Sequence, residues 1–409
     1  TLARLQQLLD ILFAEHREQA AGQAAQLFLE LVQAGHERRG IRALWRRNTR
    51  LLARSITENT SDHGEHYITR DRSGYLALLR SAGGAGIIIA LLALIKIQIG
   101  NLGLTPLSSA VLVSLNYGLG FVLVHLLHFT IATKQPAMTA ARLAQDIERG
   151  ERGKANQKRL AMMLVDLTRS QLAAVLGNVL VAVSLAFALA WLYALWQGQA
   201  LLSSAQVAYQ LKAVAPIDGL ALWYAAIAGV WLFCSGLLAG YFDNRAACLD
   251  LRARLLQHPL LKRLLPSATL RGRLADYLHD NYGALMGNFL FGVMLGMTGY
   301  IGHSTGLPLD IRHVAFSSAN IGYSAASGSL SVALCAQALG MVLLIGLVNL
   351  LVSFTLALRV ALKARQVQVG SLGTLLTSFI QQVRSAPRLL LLPPPPLPAT
   401  DQETDSAPH

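Results

Sequence analysis

Charge is what this sequence has least of. Only 14% of its 409 residues are Asp, Glu, Lys or Arg, against about a quarter in an ordinary soluble domain. With 53% hydrophobic residues and long apolar runs, that shortage argues against a soluble globular protein and for a polytopic one in a membrane. Cysteine is scarce as well. Cys234, Cys248 and Cys335 lie far apart with no C-x-x-C, so neither a disulfide framework nor a zinc site is suggested. No G-x-x-x-x-G-K-[ST] loop, no G-x-G-x-x-G after a strand and no G-x-S-x-G elbow occurs, so nucleotide-binding and hydrolase readings have no support and no cofactor or metal is expected. Residues 1–30 lack the basic start and apolar core of a signal peptide. The chain begins at Thr1, which predicts a fragment or a processed chain.

What is present is six apolar segments, near 81–99, 108–131, 172–196, 220–241, 284–302 and 332–358. Each is about the ~20 helical residues that cross a bilayer, so the fold class expected is all-α, a polytopic integral membrane protein with six transmembrane helices. Residues 1–74 form a helical region before them. Within it, leucine-rich stripes over 2–35 read as two amphipathic helices stopped near Gly35 and Gly40, and 41–60 as a third, basic helix. The membrane domain takes 75–360. Residues 361–409 hold an amphipathic piece around 370–384 and a Pro-rich tail with disordered composition. No convincing internal repeat is visible, although inverted repeats escape a single sequence easily.

The connectors differ in charge. Residues 133–170 and 242–283 are rich in Lys and Arg, whereas 100–107 has none, 197–219 only Lys212 and 303–331 only Arg312. This asymmetry places both termini in the cytoplasm of a bacterial inner-membrane protein. It assigns the net charge of +13 to anionic lipid headgroups and makes nucleic acid an unlikely partner. A homo-oligomer or an envelope partner is compatible with the pattern. Lys96 is the clear basic residue within the spans and, lying near a helix end, is expected to snorkel to the interface.

Polar residues inside the spans should face the bundle: Asn116, His125 and His128 in the second, Asn178 in the third, Asn288 in the fifth, Asn349 in the sixth. His125 and His128 share a face if helical, suited to proton relay or metal binding, or more simply to interhelical hydrogen bonds. No span contains Asp or Glu, which argues against an ion-coupled transporter. Gly236 and Gly240, and Gly292 and Gly296, have G-x-x-x-G spacing, which lets helix backbones approach; oligomerisation or gating are the other uses. Before the first span, Glu65, His66, Tyr67, Arg70, Asp71 and Arg72 form a polar cluster. Metal binding is one reading of Asp62, His63, Glu65 and His66; a polar loop, with Thr69–Arg72 against headgroups or a neighbouring cytoplasmic helix, is the plainer one. Between the fifth and sixth spans, Pro308, Asp310, Arg312, His313, Ser317, Ser318 and Asn320 make a candidate functional loop, external or re-entrant. Pro308 would fix its start, Ser317–Asn320 could cap a short helix, and the charged trio suits an anion or an internal ion pair.

Four motifs carry a family resemblance: GLPLDIRHVAFSSANIG at 306–322, GEHYITRDR at 64–72, TKQPAMTAA at 133–141 and YFDNR at 241–245. Over about residues 1–385 the chain resembles a bacterial family known as site-specific recombinases, named for a gonococcal gene product. The resemblance implies a polytopic inner-membrane protein, longer at its N-terminus, and by its name a DNA strand-exchange activity. That chemistry needs an Arg/His/Arg cluster with a nucleophilic tyrosine, or a serine nucleophile, on a soluble domain. The charge asymmetry instead puts Leu307–Gly322 across the membrane from DNA. The leading functional expectation is therefore a non-enzymatic scaffold, or a conduit for a hydrophobic or anionic envelope substrate; recombination is the alternative.

Overall fold

The computed structural model describes residues 2–14, 16–39, 69, 71–131, 157–328, 330–365 and 372–393. Contacts divide the chain into two compact units, Thr1–Ala53 and Arg54–His409. In the first, α1 (Leu2–Leu12) packs on α2 (Arg17–Arg39), and Gln7 Nε2 donates to Glu30 Oε2 at 3.0 Å. The second helix runs through Gly35 rather than stopping there: one glycine costs about 1 kcal/mol in a helix and does not by itself end it. The expected basic helix over 41–60 lies outside the described residues.

The second unit begins with α3 (Arg72–Asn101), α4 (Pro106–Leu126) and α5 (Gln157–Gln197), continues through the short α6 (Ser204–Val214) to α7 (Ala221–Cys248), then α8 (Leu251–Gln257) and α9 (Pro259–Leu264). It ends with α10 (Ala268–Thr305), α11 (Val314–Ala325), α12 (Val332–Arg365) and α13 (Leu372–Ser385). Every regular element among the described residues is helical. Six of them, α3, α4, α5, α7, α10 and α12, are long and apolar enough to cross a membrane, so the chain is an all-α polytopic membrane protein. Large apolar side chains stay exposed along these helices, among them Leu119, Leu180 and Leu351, as a lipid-facing surface requires.

The boundaries follow local chemistry. Asp71 caps α3 by accepting from Gly74 N at 2.9 Å. Thr105 caps α4 ahead of Pro106, whose missing N–H costs nothing in the first turn. Ser203 and Gln206 form a reciprocal capping box on α6. Pro259 opens α9 one residue after α8 has ended. Gly306, at φ 70°, closes α10 in the left-handed region. Trp191 and Trp196 near the end of α5 and Trp223 at the start of α7 are exposed at the end of the bundle served by the charge-poor connectors. We call this the sparse end and the other the basic end.

The membrane helices form two three-helix halves of opposite direction. Leu79 and Ala82 of α3 lie against Gly177 of α5 and Gly86 lies against Val181 and Ala182, so these helices run parallel. Ala225 of α7 pairs with Asn349 of α12 and Gly229 meets Val352, also parallel. The halves join through α4 and α10, which cross antiparallel where Gly292 and Gly296 lie against Gly118 and Ser114. Since α7 runs antiparallel to α10, with Gly283 and Gly287 against Ala239 and Ser235, α7 and α12 point opposite to α3 and α5. The fold is an inverted repeat in which α3, α4 and α5 correspond to α7, α10 and α12.

The correspondence extends to single hydrogen bonds. Asn178 Nδ2 donates to Ala82 O (2.6 Å) and Thr130 O (3.0 Å). Asn349 Nδ2 donates to Ala225 O (2.8 Å) and Arg312 O (2.9 Å). Thr130 N donates to Ser81 O and Arg312 N to Tyr224 O, one residue before each paired alanine. Each asparagine thus ties a parallel partner helix to the extended chain that follows the crossing helix.

Candidate functional site

The segment after α10 does not loop outside the bundle; it turns back into it. Residues 307–313 run extended beside α7. Trp223 Nε1 donates to Pro308 O at 2.8 Å, and Asn349 Oδ1 accepts from Val314 N at 3.1 Å. The chain then forms α11, whose residues from Val314 to Ser324 are almost all buried. Phe316 stacks on Tyr117 of α4 with ring centroids 4.3 Å apart, and Tyr323 donates its hydroxyl to Ala90 O in the middle of α3 at 2.8 Å. The segment is therefore re-entrant. Ser317, Ser318 and Asn320 do not cap a helix: α11 already starts at Val314, and the three lie inside it. Ser318 Oγ back-bonds to Ala315 O at 2.7 Å, the usual use of a buried helical serine.

Where this segment re-enters, a cavity of about 390 Å³ opens at the sparse end, bounded by α3, α4, α6 and the start of α11. Its lining comes from α3 and α4 of the first half, the connecting α6 and the re-entrant segment that follows α10. Lys96 projects into the cavity with Nζ 5.8 Å from the centre of the Tyr117 ring. Its side chain is exposed near the helix end, and the ammonium there lies over the negative face of an aromatic ring. Arg312 is held from all sides. Its Nε donates to Ala213 O (2.8 Å), its Nη1 to Asp310 Oδ2 (2.6 Å) and Ile311 O (2.7 Å), and its guanidinium lies 5.1 Å from the centre of the Tyr224 ring. Asp310 also accepts from Ile311 N at 2.8 Å. Asp310 therefore balances Arg312, whereas among the described residues no carboxylate pairs with Lys96. Ser317, Asn320 and Gln206 add polar groups to the wall, and Ile97, Leu202 and Phe316 apolar ones. His313 is buried between Phe291 and Phe316, and burial pushes its imidazole down to about 4, so it is neutral at physiological pH.

The other candidate residues are dispersed. Asn116 donates to Leu92 O at 2.9 Å, and Asn288 is buried in α10. His125 pairs with Asn281 of α10 at 3.1 Å. His128 shares no helix face with His125, because α4 ends at Leu126 and His128 sits at φ 56° with its carbonyl accepting from Ser81. Among the described residues no group of His, Cys, Asp or Glu could hold a metal ion. In α7 the face against α10 carries Ser235 and Ala239, and Gly240 is buried. Glu65, His66, Tyr67 and Arg70 lie outside the described residues; Asp71 is the α3 cap and Arg72 its first residue. Nearby, Arg169 is fully buried, bonded to Thr69 O, Leu389 O (3.1 Å) and Asp166 (2.9 Å), tying α3, α5 and the C-terminal segment together at the basic end.

Sequence reasoning missed Tyr117, Gln206 and Tyr209 as cavity residues and did not foresee Lys96 beside them. The available signal was that Lys96 stands alone as a cation within six apolar spans. No curated protein and no solved structure matches the chain. A family model described as site-specific recombinase matches residues 1–393, nearly the whole of it, and includes the re-entrant segment, the cavity and both asparagine ties. The chain belongs to the site-specific recombinase family.

Proposed function

We propose that this protein is a membrane conduit for an anionic substrate, lying in a bacterial inner membrane with its basic end and both termini in the cytoplasm. The observation that carries the reading is the inverted pair of three-helix halves, with a cavity at the sparse end where the re-entrant segment of the second half returns against α3 and α4 of the first. Two halves of opposite direction provide the same packing facing each side of the membrane, so that small rocking motions can open a central site to either side. The extended residues 307–313 ahead of α11 support this: non-helical backbone at membrane depth is tolerated where it is buried in protein or lines a cavity. The Lys and Arg of the basic connectors then contact anionic headgroups of the inner leaflet, which accounts for the net charge without nucleic acid.

Strand exchange, the activity in the family's name, is disfavoured by the state of Tyr323 and Arg312. The Tyr323 hydroxyl is spent on Ala90 O inside the bundle, and Arg312 is committed to Asp310 and two carbonyls. Neither is free to meet a phosphodiester. A deletion strain separates the readings. The conduit reading expects altered envelope permeability or lipid composition with unchanged recombination frequency; loss of a defined recombination event with an unchanged envelope would overturn it.

A further inference from the structure

We infer that the sparse-end cavity is an oxyanion site, which takes the phosphate or carboxylate group of its ligand between Lys96 and the first turn of α11. The inference deepens the conduit reading by naming the chemistry its site recognises.

Lys96 lies five residues before the end of α3, about 8 Å along the axis, close enough for its stem to reach the interface. Its exposed side chain lines the mouth of the cavity, with the ammonium over the face of Tyr117. An aromatic face leaves the ammonium with N–H donors to spare, since a lysine has three and a ring satisfies none of them linearly. On the facing wall α11 begins after His313, whose side chain does not cap the helix. Its first amide, Val314 N, is taken by Asn349, while those of Ala315 and Phe316 have no intrahelical acceptor. The positive end of the helix dipole therefore borders the same space as Lys96. The one carboxylate near the cavity, Asp310, is neutralised by Arg312. The site is thus one full positive charge plus a helix N-terminus, with Ser317 and Asn320 as uncharged hydrogen-bonding groups. Its volume of about 390 Å³ exceeds what one oxyanion group fills, and the apolar Ile97, Leu202 and Phe316 suit an organic or acyl portion attached to it.

Such an oxyanion can belong to a soluble metabolite or to a phospholipid headgroup, and the test has an arm for each. The full chain, purified in neutral detergent, is titrated with inorganic phosphate, succinate and dihexanoyl phosphatidic acid, with choline as a cationic control. Thermal stabilisation and calorimetry are the readouts. At least one anion should bind saturably and choline should not. Lys96→Gln should weaken that binding by about tenfold or more, the loss of a charge-assisted contact. Asn320→Asp, which adds negative charge to the opposite wall and leaves Lys96 in place, should weaken it similarly and decides the matter if Lys96→Gln does not fold. Binding of phosphate or succinate alone identifies a soluble ligand; binding of phosphatidic acid alone identifies a headgroup. Absence of saturable binding by all three anions overturns the site, as does binding that neither variant changes. Saturable binding without flux through reconstituted vesicles keeps the site and removes the conduit. Flux indifferent to Lys96 keeps the conduit and removes the site.

Discussion

Asn178 and Asn349 occupy equivalent positions in the two inverted halves, each donating to an alanine carbonyl of the parallel helix and to a carbonyl just beyond the crossing helix. Both side chains are fully buried. Replacing either by Ala strands buried backbone carbonyls, at a cost of about 1–3 kcal/mol. We expect Asn178→Ala and Asn349→Ala to lower the melting temperature in detergent by similar amounts, and the double variant by nearly their sum, since the two ties share no partner. A large effect at one position with none at the other would mean the halves are not energetically equivalent.

The crossing of α4 and α10 predicts a contrast between glycines. A methyl on Gly292 would run into the backbone of Tyr117 and Gly118, and backbone cannot yield cheaply, so Gly292→Ala should destabilise strongly. Gly340 in α12 has nothing within 4 Å of such a methyl. There Gly340→Ala should gain about 0.5–1 kcal/mol from backbone entropy. Thermal denaturation of the two variants beside the parent checks both signs.

Much of this architecture was legible in the sequence. The six spans announce themselves because crossing a bilayer demands length and apolarity that few other folds share. The repeat was not legible. Its shared signals are Ala82-x-x-Ala-Gly86 against Ala225-x-x-Ala-Gly229, and Asn178-x-Leu-Val181 against Asn349-x-Leu-Val352, too short to rise above chance in chains full of Ala, Leu and Val. The cavity was half legible. Lys96 could be named as unusual, but whether its stem points to the interface or over Tyr117 depends on helix rotation, which a uniformly apolar span does not encode. His125 and His128 looked paired because nothing in their spacing reveals that the backbone turns left-handed at His128. The re-entrant segment advertised itself by polarity, while its path into the bundle rests on two distant residues, Asn349 and Trp223.

Burial of His313 gives a pH dependence with a definite sign. Its imidazole is held down to about 4, against an ordinary value of 6.5. Between those values the unfolded chain accepts a proton that the folded chain refuses, so the contribution is complete above about pH 6.5 and is lost as pH falls toward 4. The full loss is about 3 kcal/mol. The melting temperature should drop over this window, and His313→Gln should flatten part of that drop. An unchanged slope in the variant would remove His313 as its source.

Orientation is tested by reporter fusions at Gly306 and Ala155. With the basic end in the cytoplasm, a periplasm-active reporter should function at Gly306 and a cytoplasm-active one at Ala155. The reverse pattern would put the cavity mouth in the cytoplasm and reopen contact with DNA.

The most direct measurement is anion flux through the purified protein reconstituted into sealed vesicles, using radiolabelled phosphate, succinate and a short-chain phosphatidic acid, with the Lys96→Gln and Asn349→Ala variants beside the parent. The conduit account predicts saturable movement of at least one of these anions by the parent, above protein-free vesicles and reduced in Asn349→Ala; the oxyanion site adds a sharp reduction in Lys96→Gln. Vesicles containing correctly folded parent protein that pass none of the three faster than empty vesicles would contradict it.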